Sequence, residues 1–248
     1  MTIPTNVVAV GDLADSYPSG VFSGCTGLTS VSLPSSLTTL GGNVFNGCSK
    51  LASIDIPARV QSIWESCFAY CSALSSVSLP TLLSTISDYT FTYCGSLSSI
   101  TVPAPVTSLG YGVFYNCQEL STIILPSTLS SIGESAFDYC SGLTSINLPT
   151  SLLNIGRNAF NYCYELLAIS IPTGVSSIGE TAFSRCSKLS SITLPLSVIA
   201  VGDGAFGDES YPPCNTGTVA KLSVPASMAA SVYSSVKYYC TVVTYTPG

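Results

Sequence analysis

The sequence predicts an α/β repeat fold, a single elongated solenoid built from coils of 23 residues. Three observations predict it. All nine phenylalanines (Phe22, Phe45, Phe68, Phe91, Phe114, Phe137, Phe160, Phe183 and Phe206) recur every 23 residues. Eight of the eleven cysteines follow them at an interval of three: Cys25, Cys48, Cys71, Cys94, Cys117, Cys140, Cys163 and Cys186. Beyond each cysteine a leucine, a Val or Ile, a second branched residue and a proline repeat in the same register, from Leu28 to Pro34 and onward to Leu189 and Pro195.

Each part of the coil follows from its residues. The run L-x-x-[IV]-x-[LIV] ends in period-2 alternation, so its last two apolar residues enter a core while the residue between them points out, as in one short strand per coil. Proline stops that strand by removing a ladder donor. A second apolar pair, such as Leu37 and Leu40, predicts a short return strand on another side of the coil. A turn follows, where glycine is usual and where Trp64 and Ser87 stand in two coils. The acids just after it (Glu65, Asp88, Glu134, Glu180 and Asp203) predict the N-terminal pole of a short helix carrying the motif [AV]-F-x-x-C. One coil cannot bury its own apolar face, so neighbours stack on a shared core.

The register divides the chain into three. Residues 1–21 form a partial N-terminal repeat in which Ile3-Pro4, Val7 and Val10-Gly11 match a strand end and a return segment, followed by an insertion. Residues 22–205 hold eight full repeats. Residues 206–248 hold a degenerate ninth repeat, whose strand reads Leu222-Ser223-Val224-Pro225, and a C-terminal cap.

The consensus F-x-x-C-x-x-L-x-x-I-x-[LI]-P-x-x-[LV]-x-x-I-G-x-x-A-F resembles the BspA-like leucine-rich repeats of bacterial and protist surface proteins, over nearly the whole chain. The resemblance implies a curved right-handed solenoid with a parallel sheet on its concave face. It also implies an extracellular or cell-surface location and non-enzymatic adhesion to, or binding of, host, matrix or self proteins.

Composition narrows the function classes. Charged residues are 8% of the chain, against roughly 25% in soluble domains, so serine and threonine hydroxyls must wet the surface. A net charge of −6, with seven Lys and Arg scattered from Lys50 to Lys237, argues against nucleic acid, which needs clustered cations. No apolar run reaches the ~18 residues that span a bilayer, and the start MTIPTNVVAVGDLADS lacks the basic and long apolar regions of a signal peptide. The chain has no histidine, the commonest general base and metal ligand, and no G-x-S-x-G, P-loop or dinucleotide-binding glycine pattern. No catalytic residue, cofactor or metal is expected. Cys67 and Cys71 lie four apart without a histidine or a second pair to complete a metal site.

Candidate contact residues are those the core does not dictate. The outward strand positions are Ser30/Ser32, Ser53/Asp55, Ser76/Ser78, Ser99/Thr101, Thr122/Ile124, Ser145/Asn147, Ala168/Ser170 and Ser191/Thr193. They form either a binding face or a plain solvated sheet. Tyr70, Tyr93, Tyr139 and Tyr162 sit two residues after a phenylalanine, in a row interrupted by Asn116. They either pack their rings between coils with hydroxyls in water or offer contact area at low entropic cost. The ladder cysteines read as buried reduced thiols, and Cys214 and Cys240, outside the ladder, as the candidate disulfide. Because Met1 opens inside a strand with no polar cap before it, a second reading is self-assembly, with solenoid ends stacking into a homo-oligomer or filament.

Overall fold

The computed structural model of the protein describes residues 3–11, 20–207, 221–225 and 243–246. Every strand pairing among them is parallel, and the pairings fall into two ladders that run along the solenoid. One ladder is made by the strand predicted in each coil: Ser53–Asp55 pairs with Ser76–Ser78, and Ser99–Thr101 with Thr122–Ile124. Ser145 and Ala168 meet in a single bridge. Ser191–Thr193 then pairs with Lys221–Pro225, which pairs with Val243–Thr246. The other ladder is made by the return strands. It runs through Ala9–Val10, Thr39–Leu40, Ser62–Ile63 and Thr85–Ile86, then through Ser108–Leu109, Ser131–Ile132, Asn154–Ile155, Ser177–Ile178 and Ala200–Val201.

Between the ladders lies one continuous core. Its axis is the phenylalanine column, eight successive stacked contacts from Phe22 to Phe206 with centroids 5.2–5.8 Å apart. The period-2 reading of the strands holds: Ile100 and Val102 are buried while Thr101 is exposed.

The short helices expected at the phenylalanine corner are absent; no helix occurs among the described residues. The backbone explains the difference. From Phe45 to Phe183, residues on either side of each phenylalanine adopt left-handed φ, for example Asn43 (56°), Ser66 (55°) and Ser135 (54°) before it and Tyr70 (60°), Asn116 (58°) and Arg185 (58°) after it. A right-handed helix cannot run through two such residues four apart. Instead the alternate N–H groups of Asn43, Phe45 and Gly47 donate to the carbonyls of Glu65, Cys67 and Ala69 in the next coil, at 2.9, 2.8 and 2.7 Å. The triple recurs at Ser66, Phe68 and Tyr70, which donate to Asp88, Thr90 and Thr92. The corner is a third line of inter-coil hydrogen bonding. The acids therefore cap no helix; Glu65, Asp88, Glu134, Glu180 and Asp203 each give the preceding coil a backbone carbonyl, and the Glu180 carboxylate also pairs with Arg157 there at 3.2 Å.

Hydroxyls do more than wet the surface. Ser75, Ser98 and Ser121 form a column in which each Oγ donates to a carbonyl 23 residues earlier, at 3.2–3.5 Å. Ser84, Ser130 and Ser176 do the same on the return side. A short hydroxyl side chain at this position reaches the carbonyl of the neighbouring coil.

The turn glycines set how closely coils approach. A Cβ at Gly156 would lie 2.6 Å from the Gly133 carbonyl carbon, and one at Gly179 would fall on the Arg157 backbone nitrogen. The return ladder breaks between Thr85–Ile86 and Ser108–Leu109, immediately after Ser87 takes the glycine's place. There the Asp88 carboxylate accepts the Tyr111 N–H at 2.7 Å. Gly179→Ala is accordingly expected to destabilise the fold by about 1–3 kcal/mol through backbone overpacking. Gly95→Ala, where an added Cβ meets nothing within 4 Å, is expected to leave the urea midpoint unchanged. Equal midpoints for the two variants would contradict this account of coil spacing.

Candidate functional site

All fifteen predicted outward residues, Ser30, Ser32, Ser53, Asp55, Ser76, Ser78, Ser99, Thr101, Thr122, Ile124, Ser145, Asn147, Ser170, Ser191 and Thr193, are exposed, as is Ala168. Pleating places them there: the neighbours Ile54, Ile100, Ile123, Ile146 and Ile192 are 2–6% exposed and hold the backbone against the core. Because the outward side chains are small, the face is hollowed. A depression of about 590 Å³ is floored and walled by Ser76, Ser78, Ser99, Thr101, Thr122 and Ile124, with Leu79 and Pro103 at one side. A second, of about 470 Å³, lies over Ser145, Asn147, Ala168 and Ser170. Ile124 is the one large apolar side chain in the outward rows, 58% exposed at the rim of the first depression.

The tyrosine row is longer than its spacing suggests. Tyr70 stacks on Tyr93 with centroids 4.8 Å apart, and Tyr139 on Tyr162 at 4.1 Å. Tyr115 fills the interruption at Asn116, meeting Tyr93 at 5.5 Å and Tyr139 at 5.7 Å with its ring turned 57° and 61° to theirs. Tyr164 and the Arg185 guanidinium, whose Cζ is 4.8 Å from the Tyr162 centroid, extend the row. A search at fixed interval misses Tyr115 because it stands one residue early, where only a neighbouring coil reveals its use. Burial, then the Tyr93 phenol and the Asp138 carboxyl, push the Tyr115 phenol up to about 12. Tyr115 is thus uncharged at neutral pH.

The cysteine ladder is structural. Each thiol from Cys48 to Cys186 donates to the carbonyl of the phenylalanine 26 residues earlier, at 3.1–3.2 Å. That carbonyl also accepts the N–H of the cysteine in its own coil, as Phe91 does from Cys94. Both lone pairs are used, which gives F-x-x-C its physical reason. Burial pushes the Cys71 and Cys117 thiols up to about 12, so they stay protonated donors and poor nucleophiles. Cys67 is buried beside the ladder and Cys25 is exposed at its start. Cys214 and Cys240 lie outside the described residues. Among the described residues, no group of three or more Cys, Asp or Glu is placed to hold a metal, and no helix is long and apolar enough to cross a membrane.

One buried group stands apart from these columns. Asp138 is 5% exposed and its Oδ1 has no hydrogen-bond partner. Desolvation pushes its carboxyl up to about 7, against the opposing pull of Asn161, the Tyr139 N–H and Ser135.

Known proteins share this architecture. The model of the BspA type leucine-rich repeat region matches residues 2–121 and 108–213, in six copies. A leucine-rich repeat protein from Bacteroides ovatus is 30% identical with a TM-score of 0.72; the match covers 100% of this chain, which spans 65% of that protein, less than two thirds. A leucine-rich cell surface protein from Faecalibacterium prausnitzii is 22% identical with a TM-score of 0.62, over 100% of this chain and 87% of its own. A leucine-rich repeat protein from Eubacterium ventriosum is 19% identical with a TM-score of 0.59, over 99% of this chain and 80% of its own. A comparison with curated proteins found no match. With repeats matched along most of its length, the chain is a repeat-protein scaffold and belongs to the BspA-type leucine-rich repeat family.

Proposed function

We propose that the chain is a non-enzymatic adhesion or protein-binding scaffold that presents its strand face to a partner protein outside or on the cell. The observation that carries this reading is the hollowed strand face. A rigid row of exposed small hydroxyl residues, with Ile124 as an apolar anchor, admits a partner's side chains without moving the backbone. The family resemblance supports the same reading, and supports display at a surface.

The test uses the full chain immobilised against a panel of purified matrix proteins and host and self surface extracts. A partner held at micromolar concentration is expected, and its affinity is expected to fall by ~10-fold or more (about 1.4 kcal/mol) in the double variant Ser99→Arg, Thr101→Arg, with no change in melting. Both positions are exposed, so the variant leaves the core untouched. No binding across the panel, or binding indifferent to the two arginines, defeats the proposal.

A further inference from the structure

Adjacent coils of this solenoid are joined by no disulfide among the described residues. The ladder thiols that could link them are buried and engaged with phenylalanine carbonyls. Among the described residues, the oxidisable groups at the surface are instead tyrosines, the partly exposed Trp64 and the exposed thiol of Cys25. Tyr139 and Tyr162 stand one coil apart with ring centroids at 4.1 Å and planes 12° from parallel, the closest of the ring contacts in the row. Both are partly exposed. Both have left-handed backbones, at φ 60° and 57°, where the earliest coils carry Gly24 and Gly47. A bulky residue in that conformation is held by its surroundings, so the two side chains leave their coils in the same direction. Arg185 covers Tyr162 and limits how far its ring can swing.

We propose that Tyr139 and Tyr162 are a site of oxidative cross-linking, at which the two phenols join as dityrosine and staple neighbouring coils. The oxidant is of the haem peroxidase and hydrogen peroxide class. It removes one electron from each phenol while each hydroxyl proton passes to water. The two phenoxyl radicals couple through the ring carbons beside the oxygens, forming one carbon–carbon bond. The hydrogens on those carbons then move to the oxygens and restore both phenols. Two electrons and two protons leave per link, and one hydrogen peroxide takes them up to become two waters. The link closes a loop of one coil in the unfolded chain and so restricts that chain more than the folded one.

The experiment oxidises the full chain at low concentration with peroxidase and peroxide, after alkylation of accessible thiols. Dityrosine fluorescence is expected in the monomer. So are a peptide pair carrying Tyr139 and Tyr162 that is lighter by two hydrogens, and a raised thermal midpoint. Tyr139→Phe is expected to remove that peptide pair while the circular dichroism stays unchanged, and oxidation in urea is expected to scatter links over many tyrosines. Absence of dityrosine, dityrosine confined to dimers, or the same distribution of links in urea overturns the proposal.

Discussion

Phe114→Ala is expected to destabilise the protein by about 3–5 kcal/mol, the cost of a fully buried phenylalanine with a cavity left behind. Phe114 is 0% exposed and stacks between Phe91 at 5.7 Å and Phe137 at 5.4 Å. The removed ring therefore deprives two coils as well as its own. In a structure whose coils contact only their neighbours, a weak central interface uncouples the halves on either side. The urea transition should move to lower concentration and also flatten, because a smaller unit unfolds at each step. Phe22→Ala, at the start of the column with one stacked neighbour, should cost less and leave the slope near the wild-type value. A Phe114→Ala loss below about 1.5 kcal/mol would mean that the coils close up around the gap, and the column would lose its place as the axis of the fold.

The same neighbour-to-neighbour logic separates what was legible in the sequence from what was not. The coil length, the strand, the buried columns and the outward residues each depend on spacing along the chain, and spacing is what a sequence displays. Ile100 in and Thr101 out follow from alternation alone. The corner around each phenylalanine predicts a helix because Ala, Phe and Cys with an acid ahead of them favour one locally. Its N–H groups are bonded to the next coil, 22 residues on in the case of Asn43 and Glu65, and no local pattern encodes a partner so far away. Tyr115 escapes a fixed-interval pattern for a related reason: it serves the row from a position one residue out of register. Composition alone sends the serines to solvent, whereas Ser75, Ser98 and Ser121 bridge coils through their hydroxyls. The hollows in the strand face depend on walls from two or three successive coils, so the sequence names the outward residues but not their depth.

The buried carboxyl makes a prediction that depends on pH. Asp138 follows Phe137 in the column position that Asn46 and Asn161 occupy in other coils. Around it stand Ser135, Asn161 and the Tyr139 N–H, with the phenols of Tyr115 and Tyr139 and the thiols of Cys140 and Cys163 close enough to feel its charge. Among the described residues, no cation contributes to its titration. The unfolded carboxyl ionises near 3.8 and the folded one near 7. Below the lower value both states hold the proton and the carboxyl contributes no penalty. Between the two values the unfolded chain releases its proton while the fold retains one, so stability falls as pH rises. Above about 7 the full desolvation cost remains, roughly 2–4 kcal/mol between about pH 4 and about pH 8. Asp138→Asn keeps the shape and cannot ionise. In the second coil the same column carries Asn46, whose Nδ2 donates to Asn43 Oδ1 at 2.8 Å, and Ser135 holds the position equivalent to Asn43. The variant should match the wild type near pH 4 and exceed it by roughly 2–4 kcal/mol near pH 8, with the gap opening between the unfolded and folded ionisation values and levelling off once the folded carboxyl titrates. Urea titrations of both proteins across that range give the difference directly. Parallel stability curves would place the Asp138 carboxyl in contact with water and remove it from the core.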